Sequence, residues 1–94
     1  MARYTTRMEL HDHRPGDYER LHEQMEAQGF TRTITDTNGT VLHLPTAEYN
    51  YEGDIEDKQA ILRKAQAAAS AVRRSFEVLV TKSAGRTWHN LTRV

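Results

Sequence analysis

Two short runs of this 94-residue chain carry side chains that can move protons and hold phosphate. The first is His11-Asp12-His13, followed at once by the turn residues Arg14-Pro15-Gly16. Imidazole exchanges its proton near neutral pH, so His11 and His13 can serve as general acid or base. Asp12 can orient a water, accept a proton or bind a divalent cation such as Mg2+. The second run is Arg73-Arg74, whose guanidiniums can neutralise a phosphate. Brought together, these groups would suit phosphodiester cleavage, with His11, Asp12 and His13 catalytic and Arg73 and Arg74 holding RNA. The histidines alone are no metal motif, because two residues two apart in a strand cannot close a metal shell without distant partners. The competing explanation is plain turn chemistry, since strand ends are polar and an aspartate ahead of Pro-Gly favours a turn.

These groups need elements to position them. From Arg3 to Leu10 the even positions Tyr4, Met8 and Leu10, with Thr6 between, form one face, and Arg3, Thr5, Arg7 and Glu9 form the other. That period of two predicts a central strand with one buried face, running into His11. After Pro15-Gly16, with Asp17 as N-cap, Tyr18, Leu21, His22 and Met25 recur at helical spacing, and Gly29 stands where a left-handed residue ends a helix. Phe30 to Thr35 and Thr40 to Leu44 read as two strands, and the Asn38-Gly39 dipeptide between them predicts a type I′ hairpin. Pro45 to Gly53 reads as a loop carrying Tyr49 and Tyr51. Asp54 is placed to N-cap a second helix whose stripe is Ile61, Leu62, Ala65, Ala68, Ala69 and Val72. Phe76 to Lys82 is the clearest strand, and Thr87 to Val94, with Trp88 and Leu91, reads as a short extra one.

The order is β-α-β-β-α-β with a terminal β. It predicts an α+β, ferredoxin-like sandwich over residues 1–94, a single domain, in which the second hairpin strand is inserted beside the first strand. Such a sheet would gather His11, Asp12 and His13, the Asp36 to Gly39 hairpin and the Arg73-Arg74-Ser75 junction at one end. The Tyr49 and Tyr51 loop, Gly29 and the Ser83 to Arg86 turn would lie a strand length away, roughly 17–20 Å. The open sheet face would carry Arg3, Arg7, Glu9, Glu77, Leu79 and Leu42, with no exposed aromatic of the kind that stacks on bases. His22 reads as a packed histidine, and Leu79 and Trp88 as residues in want of a covering surface.

Thirteen Lys and Arg balance thirteen Asp and Glu, which argues against a strongly basic nucleic-acid binder and leaves room for a local patch. With no cysteine the chain has no disulfide, thiolate metal site or cysteine nucleophile, and a cytoplasmic location is expected. No apolar run approaches the roughly 18 residues of a membrane span, and no signal-peptide core is expected at the N-terminus. A polar chain this short buries a modest core, so a homodimer is expected, with Thr87 to Val94 taking part.

Three runs carry a family resemblance. They are Arg-Tyr-Thr-Thr-Arg-Met-Glu-Leu-His from Arg3, Tyr-Glu-Arg-Leu-His-Glu-Gln-Met-Glu-Ala-Gln-Gly-Phe from Tyr18, and Leu-Pro-Thr-Ala-Glu-Tyr from Leu44. The chain resembles small ferredoxin-like proteins grouped with the GhoS antitoxin endoribonuclease. The same group includes the small CRISPR-associated integration subunits, in which an aspartate ends the first strand; Asp12 matches that position. The resemblance implies an RNA-cleaving antitoxin acting on a toxin message. The alternative is a non-enzymatic, phage- or prophage-borne module that binds another protein.

Overall fold

The computed structural model describes residues 2–94. Its elements are β1 (Ala2–Leu10), α1 (Asp17–Ala27), β2 (Thr33–Thr35), β3 (Val41–His43), β4 (Glu48–Gly53), α2 (Lys58–Ser70) and β5 (Phe76–Lys82). The architecture is α+β, with a three-stranded antiparallel sheet in the order β4-β1-β5 and a separate β2-β3 hairpin. The predicted alternation in β1 is realised. Ala2, Tyr4, Thr6, Met8 and Leu10 are buried, while Arg3, Arg7 and Glu9 are exposed on the opposite face.

Both helices pack with that buried face. Leu21 and Met25 of α1 and Ile61, Ala65, Ala68 and Ala69 of α2 join Tyr4, Met8 and Leu10 in one core. The α2 alanines present little more than backbone, which lets the helix lie close to the strands. Asp57, not Asp54, caps α2: its carboxylate accepts the Gln59 N–H at 2.9 Å. At α1 the cap position is Gly16 with φ 88°, and no side chain caps it. Asp17 instead turns its carboxylate back to the Arg14 N–H at 2.8 Å. At the far end of α1, Gly29 N–H reaches Glu26 O at 2.9 Å and Phe30 N–H reaches Met25 O at 3.0 Å. These are the two bonds of a Schellman stop, and Gly29 supplies its left-handed residue with φ 93°.

Three expectations are corrected. The strand inserted beside β1 is Glu48–Gly53, the stretch expected as a loop, and Thr40 to Leu44 pairs with β2 and with the C-terminal segment, not with β1. Tyr49 is therefore fully buried in the core, with Phe30 and Tyr51 packed edge to face beside it. The hairpin forms, but its tip is no two-residue I′ turn. Asp36 Oδ1 takes the N–H groups of both Asn38 and Thr40, Asp36 N–H pairs with Thr40 O, and Gly39 alone of these residues has positive φ, giving a longer loop. The tip also lies at the opposite end of the sheet from His11, because Asp36 and Thr37 share a cleft with Arg3 and Ser83 to Arg86.

The C-terminal segment forms no full strand. After β5 the Ser83 N–H extends the ladder to Arg3 O, and the chain then crosses the open sheet face, where Arg86 Nη1 donates to Asn50 Oδ1 at 2.8 Å. It ends on β3 of the same chain, through His43 N–H to Thr92 O at 2.8 Å and Val94 N–H to Val41 O at 3.0 Å. Within the chain its backbone partner is thus β3 and not β5. No helix of the described residues is long and apolar enough to cross a membrane.

Candidate functional site

The antiparallel β1-β5 ladder decides what meets at the end of β1. Leu10 faces Phe76 and Glu9 faces Glu77, and the ladder continues through the His11 N–H to Ser75 O at 3.0 Å. The chain leaving α2 must therefore deliver Arg73, Arg74 and Ser75 to His11. A surface cleft of about 290 Å³ is lined by His11, Asp12, Val72, Arg73, Arg74 and Ser75.

Both ring nitrogens of His11 are engaged. Nδ1 lies 2.8 Å from Ser75 Oγ and Nε2 lies 3.2 Å from Glu77 Oε2. Hydrogen bonding from His11, and then from Glu9 across the ladder, holds the Glu77 carboxyl below its usual range. An ionised Glu77 accepts, so a neutral His11 ring carries its proton on Nε2 and turns its basic Nδ1 to the Ser75 hydroxyl. Asp12 stands exposed beside the ring with φ 51°, a strained value for a residue other than glycine. His13 does not line this cleft; its ring packs edge-on against Tyr18 with centroids 5.1 Å apart.

The two arginines differ. Arg73 Nε lies 3.7 Å from Asp17 Oδ2, and Arg20 holds the other oxygen of the same buried carboxylate at 2.9 Å. The Arg14 N–H, opposed by burial and helped by Arg20 and Arg73, keeps Asp17 below the usual carboxylate range. Arg73 thus ties the exit of α2 to the start of α1. Arg74 is exposed and has no ion-pair partner among the described residues.

Asp12 is the one carboxylate lining the cleft, and no group of three or more His, Asp or Glu side chains converges among the described residues. That donor set builds no all-protein cage for Mg2+, although one carboxylate such as Asp12 suffices where substrate phosphates supply the other ligands.

The fold brings His11 and Asp12 to Arg73 and Arg74, as the element order predicts, and leaves out His13. The element order alone assigns no role to Ser75 or Glu77. The signal was available in the register, because pairing Leu10 with Phe76 puts Ser75 opposite His11 and Glu77 on the same face. His22, expected as a packed histidine, is one. Its Nδ1 accepts from the Tyr49 hydroxyl at 2.6 Å, burial being the main cause that lowers its pKa, with Arg32 adding to it. Burial likewise pushes the Tyr49 phenol up, which keeps it a donor. No family model matches the chain, and no curated protein is similar to it.

Proposed function

We propose that the chain is a cytoplasmic endoribonuclease, of the antitoxin kind that destroys a toxin message, with its centre at the His11 cleft. The observation that carries this reading is His11 held between Glu77 and Ser75 at the mouth of a cleft whose rim bears the unpaired Arg74. A ribose 2′-hydroxyl taking the place of Ser75 Oγ would meet the basic Nδ1 directly. His11 removes that proton, the 2′-oxygen bonds to phosphorus, and the bond to the 5′-oxygen breaks. Arg74 neutralises the charge that builds on the phosphate. A water held by Asp12 gives a proton to the leaving oxygen and is itself reprotonated by His11, while His13, packed on Tyr18, stands outside the cleft. No step passes through a metal ion.

The ferredoxin-like reading of the sheet belongs to this proposal. Support comes from residue 31, whose N–H and C=O both bond Asn50 at 2.8 Å, which sets the approach to the hairpin beside the free side of β4. That single bridge would stand for the expected second strand, and β2-β3 for an insertion.

The test is purified protein with mixed RNA, with and without magnesium. We expect cleavage in both conditions, falling about 10²–10⁴-fold in His11→Ala, the usual worth of a general base. Arg74→Ala should slow cleavage and Arg73→Ala should chiefly lower stability. Cleavage indifferent to His11 removes the site, and none under any condition removes the enzyme.

A second reading has one observation behind it. Leu79 is 64% exposed on the open face of β5, and the outer edge of β5 pairs with no strand of the described residues. An interaction module would use that edge, for a second copy of the chain or another protein. Light scattering of the wild type and of Leu79→Lys tests whether that edge takes a second copy. A monomer at every concentration rules out the homodimer.

A further inference from the structure

The open face lacks an aromatic of its own, but the C-terminal segment brings one to it. Trp88 stands between two adjoining clefts. The larger, about 520 Å³, is lined by Ile34, Leu44, Leu91, Thr5 and Glu48 among others; the smaller, about 250 Å³, by Arg3, Asp36 and Ser83. Arg86 borders both, together with Trp88, Ile34 and Gly85. The larger cleft, mostly apolar with a few polar groups converging from the smaller, suits a small flat ligand.

Trp88 is not what holds the segment down. It remains 41% exposed and lies outside the main core, whereas the segment is fastened by Arg86 to Asn50 and by two backbone bonds to β3. Arg86 spends one N–H on Asn50, and its five-donor fork leaves others for a ligand. Two arginines, Arg3 and Arg86, are offset in the lining by two carboxylates, Asp36 and Glu48. Arg3 is also paired with Glu52 at 2.8 Å. With charges so balanced the site does not favour a bare phosphate. It favours an uncharged planar group with hydrogen-bonding edges, which is a nucleobase.

We infer that the Trp88 cleft is a base-stacking subsite for single-stranded RNA, the base lying on the indole and Arg86 donating to its edge or to the adjoining phosphate. This rests on the reading of the chain as a ribonuclease. The cleft opens on the face that carries Thr5 and Glu48, and the same face carries Glu77 and His11 at its other end. RNA cleaved at His11 would thus be anchored a strand length away.

Trp88 is the chain's single tryptophan, so its emission reports on this site alone. The full chain is titrated with a 2′-O-methyl oligoribonucleotide, which cannot be cleaved, and labelled oligonucleotide is followed in parallel by anisotropy. We expect saturable quenching of Trp88, deeper with adenine than with uracil. Trp88→Leu and Arg86→Gln, each checked for folding by circular dichroism, should weaken binding about tenfold, as loss of one stacked base implies. Salt should weaken it only gently, because few phosphates are neutralised here. Binding that leaves Trp88 emission unchanged, binding unaffected by either substitution, or no binding at all would each overturn the subsite. Because the probe resists cleavage, quenching by it alongside intact natural RNA would instead remove the ribonuclease and keep the nucleobase site.

Discussion

Thr6 offers a sharp test of the packing. It sits mid-strand in β1, fully buried, with Tyr49 opposite it on β4 and Val80 opposite it on β5. Its hydroxyl has no hydrogen-bond partner. Burying an unsatisfied hydroxyl costs about 1–3 kcal/mol by mutational measures. Thr6→Val replaces that hydroxyl with a methyl of nearly the same size and adds about 0.8 kcal/mol of apolar burial. The β-branched shape suited to a strand is kept. The expected result is a stability gain of at least about 1 kcal/mol, or about 4–8 °C in Tm for a chain of this size. Urea unfolding followed by circular dichroism measures it, with an unchanged slope showing that only stability has moved. Thr6→Ser keeps the hydroxyl and removes the methyl, so it should lose about 1 kcal/mol or more. The two substitutions must move in opposite directions. A Thr6→Val protein less stable than wild type would mean that the hydroxyl is satisfied, and the argument from an orphaned polar group would fall.

Gly29→Ala should cost about 1–2 kcal/mol from the left-handed backbone alone. The new Cβ would also stand 3.2 Å from the Tyr51 ring, so an unchanged urea midpoint would refute the Schellman reading. His22 has a folded pKa below its unfolded 6.5, so its contribution is fully present above that value and is lost as pH falls through the folded pKa. Stability measured from neutral pH down to about pH 5 should therefore fall less steeply in His22→Gln than in wild type, and parallel curves would exclude the effect. Asp17 also has a lowered folded pKa, so its contribution is present above the unfolded 3.8 and disappears in acid. Asp17→Asn should be less stable than wild type at neutral pH and converge with it as pH drops, whereas a constant offset would show that its charge is immaterial.

How much of this was legible follows from the range of the interactions. The alternation of β1 and the alanine stripe of α2 are local patterns, and both survive in the fold. The meeting of His11 with Arg74 was also legible, because it needs only that β5 run antiparallel beside β1, as the two clearest strands would. β4 was hidden. Glu-Tyr-Asn-Tyr-Glu-Gly follows a proline and alternates poorly, since Tyr49 and Asn50, on opposite faces, are both buried. Tyr49 is covered by the helices. Asn50 lies on the face crossed by the C-terminal segment, where it meets Arg86 from 36 residues away. No window of local sequence contains that fact.

The same long-range coverage explains why chemistry was read at one end of the sheet only. Taken from the strands alone, the open face has Arg3, Arg7, Glu9, Glu77 and Leu79, a mixed and flat surface with nothing to hold a base. The aromatic arrives from a segment that pairs with neither neighbour of β1 but with the hairpin beyond β4. A tail expected as a short extra strand lies across a face, and it turns Trp88 from a residue in want of a covering surface into one wall of a cleft. Zero net charge then weighs less against the proposed RNA reading. It bears on the phosphate contribution to binding, whereas a stacked base would draw on the indole, and the proposed catalytic end would need one unpaired guanidinium rather than a basic surface. Arg73 lies against Asp17, whereas Arg74 has no ion-pair partner among the described residues and would be the guanidinium left for that role.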